Sequence, residues 1–355
     1  MSLRLVSGGY DHTIRVWDAV AGTSDQTFPF NDSQVNQVLF SPDGRLIAVC
    51  GNPRVCFYDL ASNSTSPVYT LDYHRSSVCQ LSWSDQGYAL SCSEDGWIAE
   101  WDFRRSIGGG GEPLRVLKNR DGGVGGGGMN SNSLSGVVYA SRRGYCFTCD
   151  YQGCVKMWCL ESKRIVARMV FGDEEILSGI VLDPVHHLVA CTGSSGYTYL
   201  CRVTEEATTS SSMPSTEEGY FTRVTKLRCS KRYVLKARFN GDASWLVSAG
   251  DDGNVRVWGA QDAIGPNLPQ NATEISCEQR YQDAHWQTQR LVGKHQKWAW
   301  DCHFTRDSRY VLSASSDKRI CLWDIETGDL MKEYKGHQKA ITSIDLFPKT
   351  TIQND

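Results

Sequence analysis

The sequence predicts an all-β protein, a propeller of seven blades closed into a ring, on three observations. Seven segments share one pattern: a strand of small residues, a tight polar turn, then a strand ending in an aromatic or apolar residue. Their ends fall at Trp17, Tyr58, Trp101, Trp158, Leu200, Trp258 and Trp323, with shortest separations of 41 to 43 residues, room for four short strands and their turns. The chain also has the size of such a ring: 355 residues, 40% of them apolar, can bury a full core as a single domain.

The copies can be justified in order. The first, Leu5 to Asp18, the third, at Trp101-Asp102, and the last, Leu312 to Asp324, end in Trp-Asp. The second ends at Tyr58-Asp59, the fourth at Trp158-Cys159, the fifth at Leu200-Cys201 and the sixth at Trp258-Gly259. Longer separations of 57, 58 and 65 residues imply insertions. Ile107 to Met129 is glycine-rich, Thr204 to Gly219 is a Ser/Thr/Glu tract, and Gly259 to Arg290 is polar with Pro266 and Pro269. Such segments bury too little apolar surface to offset their ordering entropy, so residues 107–129, 204–219 and 259–290 are expected as flexible surface loops.

Spacing and Trp-Asp endings together resemble the WD repeat. That resemblance implies a hydrogen-bonding relay in which a histidine before the first strand, a strand serine, a turn aspartate and the tryptophan support one another. His74, Ser91, Asp95 and Trp101 fit it, as do His295, Ser313, Asp317 and Trp323. His337 has only the strand-like Ile341 to Leu346 after it, whereas Ser7, Asp11 and Trp17 open the chain without a preceding histidine. The last strand is therefore expected to pair with the first ones, which removes exposed sheet edges. His, Ser and Asp sets that recur this way argue against a hydrolase, whose triad would occur once.

Composition narrows the function classes. The net charge of -3, from 37 basic and 40 acidic residues, lacks the basic excess that phosphate-backbone binding needs, so nucleic acid is not an expected partner. No apolar run has the length of a signal peptide or membrane span, and a cytoplasmic protein is expected. Most of the 14 cysteines lie in strand-like runs, where a reduced thiol acts as a small apolar side chain. Cys146, Cys149, Cys154 and Cys159 have poor zinc spacing and are read as structural. The glycine runs Gly108 to Gly111 and Gly122 to Gly128 lack the Gly-Lys-Ser/Thr of a phosphate loop, and no cofactor or metal is expected. Asn63 and Asn271 start glycosylation sequons that an intracellular chain would not use, and Thr208 to Thr216 is read as a solvated linker.

Further motifs are more particular. Arg232-Tyr233-Val234-Leu235, His295-Gln296-Lys297-Trp298-Ala299-Trp300, Ala314 to Asp317, Glu326-Thr327-Gly328 and Gly336-His337-Gln338-Lys339-Ala340 join Gly9 to Thr13 and Asp32 to Asn36. Together they resemble the small WD-repeat subunits of target-of-rapamycin (TOR) kinase complexes, most strongly in blades one, two, six and seven. The resemblance implies a non-catalytic scaffold, monomeric within a larger assembly, that docks by one face on the TOR-type catalytic domain and supports growth and nutrient signalling. Any endomembrane association would come through that complex. Other TOR complex subunits would be further partners.

Independently of family, residues at the start of each innermost strand reach the rim of the central channel, where large aromatics make good anchors. Trp298 and Trp300 flank Ala299 and should both face the rim by strand alternation. The bland alternative packs one of them between blades. Equivalent rim sites are Gln34 and Asn36, then Tyr233 and Leu235, with Tyr10, Glu94 and Asp251 on adjoining turns. A second class, a ubiquitin-ligase substrate receptor or chromatin-associated scaffold, would usually add an N-terminal helix or a further domain. A propeller enzyme would need an inward cluster of carboxylates, metal ligands or arginines along the channel, and none is read in the sequence.

Overall fold

The computed structural model describes residues 3–31, 33–62, 64–84, 86–103, 112–119, 132–140, 144–172, 175–183, 188–203, 221–259 and 290–347. Every regular element among them is a strand, and 28 strands form seven four-stranded antiparallel sheets. Blade one takes β1 (Arg4–Gly9), β2 (Thr13–Asp18) and β3 (Ser24–Pro29). Blade two follows with β4 (Gln37–Phe40), β5 (Leu46–Cys50), β6 (Val55–Asp59) and β7 (Tyr69–Leu71). Blade three has β8 (Val78–Trp83), β9 (Tyr88–Ser93), β10 (Trp97–Asp102) and β11 (Arg115–Lys118). Blade four has β12 (Leu134–Ala140), β13 (Tyr145–Asp150), β14 (Cys154–Cys159) and β15 (Arg164–Val170). Blade five has β16 (Leu177–Leu182), β17 (Leu188–Gly193), β18 (Tyr197–Val203) and β19 (Phe221–Arg228). Blade six has β20 (Val234–Phe239), β21 (Trp245–Gly250), β22 (Asn254–Gly259) and β23 (Arg290–Lys294). Blade seven has β24 (Ala299–Phe304), β25 (Tyr310–Ser315), β26 (Arg319–Asp324) and β27 (Leu330–Lys335), and β28 (Ile341–Phe347) returns to blade one.

The repeat explains these elements strand by strand. Each segment end identified from the sequence lies in the third strand of its blade, from Trp17 in β2 to Trp323 in β26, but in blade five the register sets Cys201, one residue past the expected Leu200, at the tryptophan position. Second strands are buried at every residue after the first, and are mostly small or apolar there, as in Leu188-Val189-Ala190-Cys191-Thr192-Gly193, because neighbouring blades cover both faces. Outer strands alternate instead: β3 buries Phe28 between exposed neighbours. Seven hydrophobic clusters lie between successive blades. One joins Val6 and Ile14 of blade one to Val38 and Ile47 of blade two, and another joins Leu312 and Ile320 of blade seven to Leu5 and Trp17 of blade one.

Closure is made by β28, which pairs with β1 in the register Arg4↔Phe347, Leu5↔Leu346, Val6↔Asp345 and Ser7↔Ile344. The ladder ends at Gly9, where any side chain would strike the Ala340 carbonyl.

One expected boundary changes. The loop placed over residues 107–129 contains strand β11, the outer edge of blade three. Its alternation was hidden by glycine on both sides: Leu117 is buried, and Arg115 pairs with Glu100 at 2.7 Å. Residues 107–111, 120–129, 204–219 and 260–289 lie outside the described residues, as do Asn63, Asn271 and the Thr208 to Thr216 tract.

Candidate partner-binding face

The turns entering each second-to-third-strand hairpin and each innermost strand gather on one face, where three relays hold them. In blade one the Trp17 indole N–H donates to Ser7 Oγ at 2.8 Å, and the Ser7 hydroxyl donates to His337 Nε2 at 2.8 Å. His337 Nδ1–H donates to Asp11 Oδ2 at 2.9 Å, a tautomer required because a carboxylate only accepts. Blade seven repeats the set, with Trp323 to Ser313 at 2.7 Å, Ser313 to His295 at 2.7 Å and His295 to Asp317 at 2.9 Å. In blade three Trp101 and His74 both reach Ser91, but His74 Nδ1 stands 3.4 Å from Asp95. Asp95 is occupied by the backbone N–H groups of Arg75 and Trp97.

Blade four has a different relay that the sequence did not reveal. Thr148 accepts the Trp158 indole N–H at 2.9 Å, while buried Lys156 donates to Asn119 Oδ1 at 2.7 Å and Asp150 Oδ2 at 3.2 Å. Burial pushes the Asp150 carboxyl above its ordinary value, against the pull of the Lys156 charge. The cysteines of this blade sit where a blade needs small apolar groups: Cys146, Cys149 and Cys154 are buried in β13 and β14, and Cys159 is half-buried at the end of β14. Among the described residues no group of three or more His, Cys, Asp or Glu side chains is placed to hold a metal ion.

The rim itself is built from bulges. In β8, β12, β16, β20, β24 and β28 the ladder skips one residue: Cys79, Ser135, Ser178, Leu235, Trp300 and Thr342 have no partner opposite. A bulge re-aims its extra side chain, here toward the channel. With Asn36, just before β4, these residues line a cavity of about 200 Å³ at the channel mouth. Bulging replaces simple alternation as the reason Trp300 reaches the rim. Several rim side chains also tie their blade to the next: Asn36 Nδ2 donates to Val78 O at 2.9 Å, Ser178 to Val234 O at 2.6 Å and Thr342 to Val35 O at 2.5 Å.

Four of the expected residues join as a continuous aromatic arc. Ring centroids are 6.1 Å apart for Tyr10 and Trp300, 5.6 Å for Trp300 and Trp298, and 6.3 Å for Trp298 and Tyr233. Trp298 is 43% exposed and Tyr10 39%. Ser316 fixes the pair, accepting the Trp300 indole N–H at 2.6 Å while its own N–H donates to Trp298 O at 3.0 Å. Leu235 and Asn36 lie in the mouth beside the arc. Asp251 is spent on the Ser230 hydroxyl and the Tyr233 N–H at 2.6 and 3.2 Å, so it positions an arc residue. Exposed Glu94 and half-buried Gln34 are outside the cavity lining, Gln34 beside Ser33, whose hydroxyl donates to its carbonyl.

A second ring lies one residue deeper, comprising Gln37, Gln80, Gly136, Gly179, Lys236, Asp301 and Ser343. At Gly136 a Cβ would lie 2.8 Å from Gln80 Oε1, and that space lets Gln80 cross to Ile180 O at 3.0 Å. The expectation of no inward charged cluster is corrected here. Asp301 accepts Arg238 Nη2 at 3.2 Å, the Ser343 hydroxyl at 3.1 Å and the backbone N–H groups of Ile344 and Cys302 at 3.0 and 2.9 Å. Asp345 adds contacts to His303 at 3.3 Å and the Phe40 N–H at 2.8 Å. The cluster escaped notice because its members come from separate blades, meeting only when the ring closes. Asp301 is consumed by strand-tying bonds, and its carboxyl, which burial would raise, is held low by Arg238 and Lys236. Sequence reading also missed Cys79, Ser135, Ser178 and Thr342, although each stands at the offset that selected Leu235 and Trp300.

The chain is a seven-bladed WD-repeat β-propeller. The WD domain, G-beta repeat pattern matches residues 1–18, 22–59, 65–102, 221–259 and 286–324, and passes over blade four and the first three strands of blade five. Within that class it is similar to proteins named as target of rapamycin complex subunits and LST8 homologs. It is 28% identical to the target of rapamycin complex subunit wat1 of Schizosaccharomyces pombe, over 74% of this chain and 76% of that protein. Identity is 27% to the LST8 homolog of Drosophila melanogaster, over 97% and 96%, and 26% to the target of rapamycin complex subunit LST8 of Bos taurus, over 96% and 93%. No helix of the described residues is long and apolar enough to cross a membrane.

Proposed function

We propose that the chain is a non-catalytic, cytoplasmic scaffold subunit of TOR complexes that binds and steadies the catalytic domain of a TOR-type kinase through its channel mouth. The carrying observation is the unbroken arc Tyr10, Trp300, Trp298 and Tyr233, with Leu235 and Asn36 beside it. Large, rigid, partly exposed aromatics in ring contact, with Trp300 fixed by its bond to Ser316, lose little freedom on binding and make strong anchors. Relatives named as TOR complex subunits supply the class of partner. Co-expression of Trp298→Ala/Trp300→Ala with a TOR catalytic domain tests the reading: capture is expected to fall by about tenfold or more while the propeller stays folded. Wild-type capture by the folded variant would overturn it.

A further inference from the structure

We propose that the channel mouth receives one carboxylate side chain of the docked kinase segment, paired with Lys236; the inference rests on the docking reading above. Lys236 lines the 200 Å³ cavity inside the aromatic arc, in the second ring of the channel. Among the described residues its side-chain ammonium makes no hydrogen bond and no ion pair within 4.0 Å. The carboxylate nearest by position in the ring, Asp301, is already saturated by Arg238, Ser343, Ile344 and Cys302. A half-buried ammonium at the mouth with no protein partner keeps its donors for an entering group, so an incoming carboxylate gains a charge-assisted bond at little reorganisation cost. Burial, the largest influence on this amine, pulls its pKa down, against the attraction of Asp301. Size fits as well: the cavity has room for roughly seven waters, a side chain and not a helix. The hydroxyls and amides of Thr342, Ser178 and Asn36 are turned to neighbouring blades, and Lys236 is the cation among the residues lining the cavity.

The experiment measures affinity for a purified TOR catalytic domain at low and high salt, using the full chain and the variants Lys236→Gln, Lys236→Arg and Trp298→Ala/Trp300→Ala. Lys236→Gln is expected to bind about tenfold more weakly and with a flatter salt dependence, while Lys236→Arg stays close to wild type. Lys236→Gln binding like wild type while the double tryptophan variant fails would overturn the carboxylate and leave the docking reading standing. Equal losses in Lys236→Gln and Lys236→Arg would mean that shape and not charge matters, and would also overturn it. A double tryptophan variant that binds normally would instead sink the docking reading. Thermal melts of each variant separate lost contacts from lost fold.

Discussion

His337 donates its Nδ1–H to Asp11 at 2.9 Å, joining residues 326 positions apart, and Gln338 N–H reaches the same carboxylate at 2.8 Å. Asp11 thus holds the returning chain end as well as the turn between β1 and β2. Replacing Asp11 by alanine is expected to destabilise the protein by about 1–3 kcal/mol in urea unfolding. Asp95→Ala should cost less, because His74 stands 3.4 Å from Asp95 without a hydrogen bond. Equal costs would show that the histidine–aspartate bond adds nothing to closure.

Acid should expose the same relays. Burial alone would raise the Asp317 carboxyl, but the His295 hydrogen bond and charge, then Arg319, outweigh it and hold it at about 2, below its ordinary 3.8. A depressed folded pKa means stability that is present above the unfolded value and lost as pH falls through the folded one. Stability is expected to drop between about pH 4 and pH 2, and Asp317→Ala should show a shallower acid limb there. Parallel acid curves for the two proteins would contradict this.

Blade four offers a contrast in kind. Asp150→Ala removes the Asp150 carboxylate from the buried Lys156 ammonium, and should cost about 3–5 kcal/mol. The double variant Lys156→Met/Asp150→Asn should recover part of that loss, since removing both charges spares the desolvation penalty. Denaturant midpoints of the set measure it, and a double variant no more stable than Asp150→Ala would argue against a charge-based tie.

Thiol reactivity should also vary around the ring. Cys159 stands where four other blades have aspartate; burial would raise its thiol, but the Ser162 hydroxyl and the N–H groups of Ser162 and Glu161 outweigh that and lower its pKa below 9.0. Burial pushes Cys149 up to about 12. Alkylation of the native protein near pH 8, followed by peptide mapping, should label Cys159 before Cys149. The reverse order would refute the assignment.

Legibility followed the range of the interactions. Blade number, the third-strand ends of every blade but the fifth and the meeting of His337 with Asp11 were readable, because each depends on a repeat or on one missing member of a repeated set. The outer strand β11 was hidden, since four residues between glycine runs carry too little pattern. Rim residues were found where they are large, as at Trp300 and Leu235, and missed where the same bulge presents Cys79, Ser135 or Thr342. The Arg238, Asp301 and Asp345 cluster has no local signature, since ring geometry alone brings three innermost strands together.

Pairing of β28 with β1 sets a constraint on biosynthesis. Ser7 must wait for His337, made 330 residues later, which at ordinary ribosomal speeds is roughly 15–70 seconds. Through that interval the nascent first blade has three strands and a bare inner edge, open to wrong pairing with any passing strand. Every mature copy has therefore come through a stage of exposure that its finished ring conceals, and variants that slow the last strand's arrival or loosen its grip should be lost to aggregation before they are lost to unfolding.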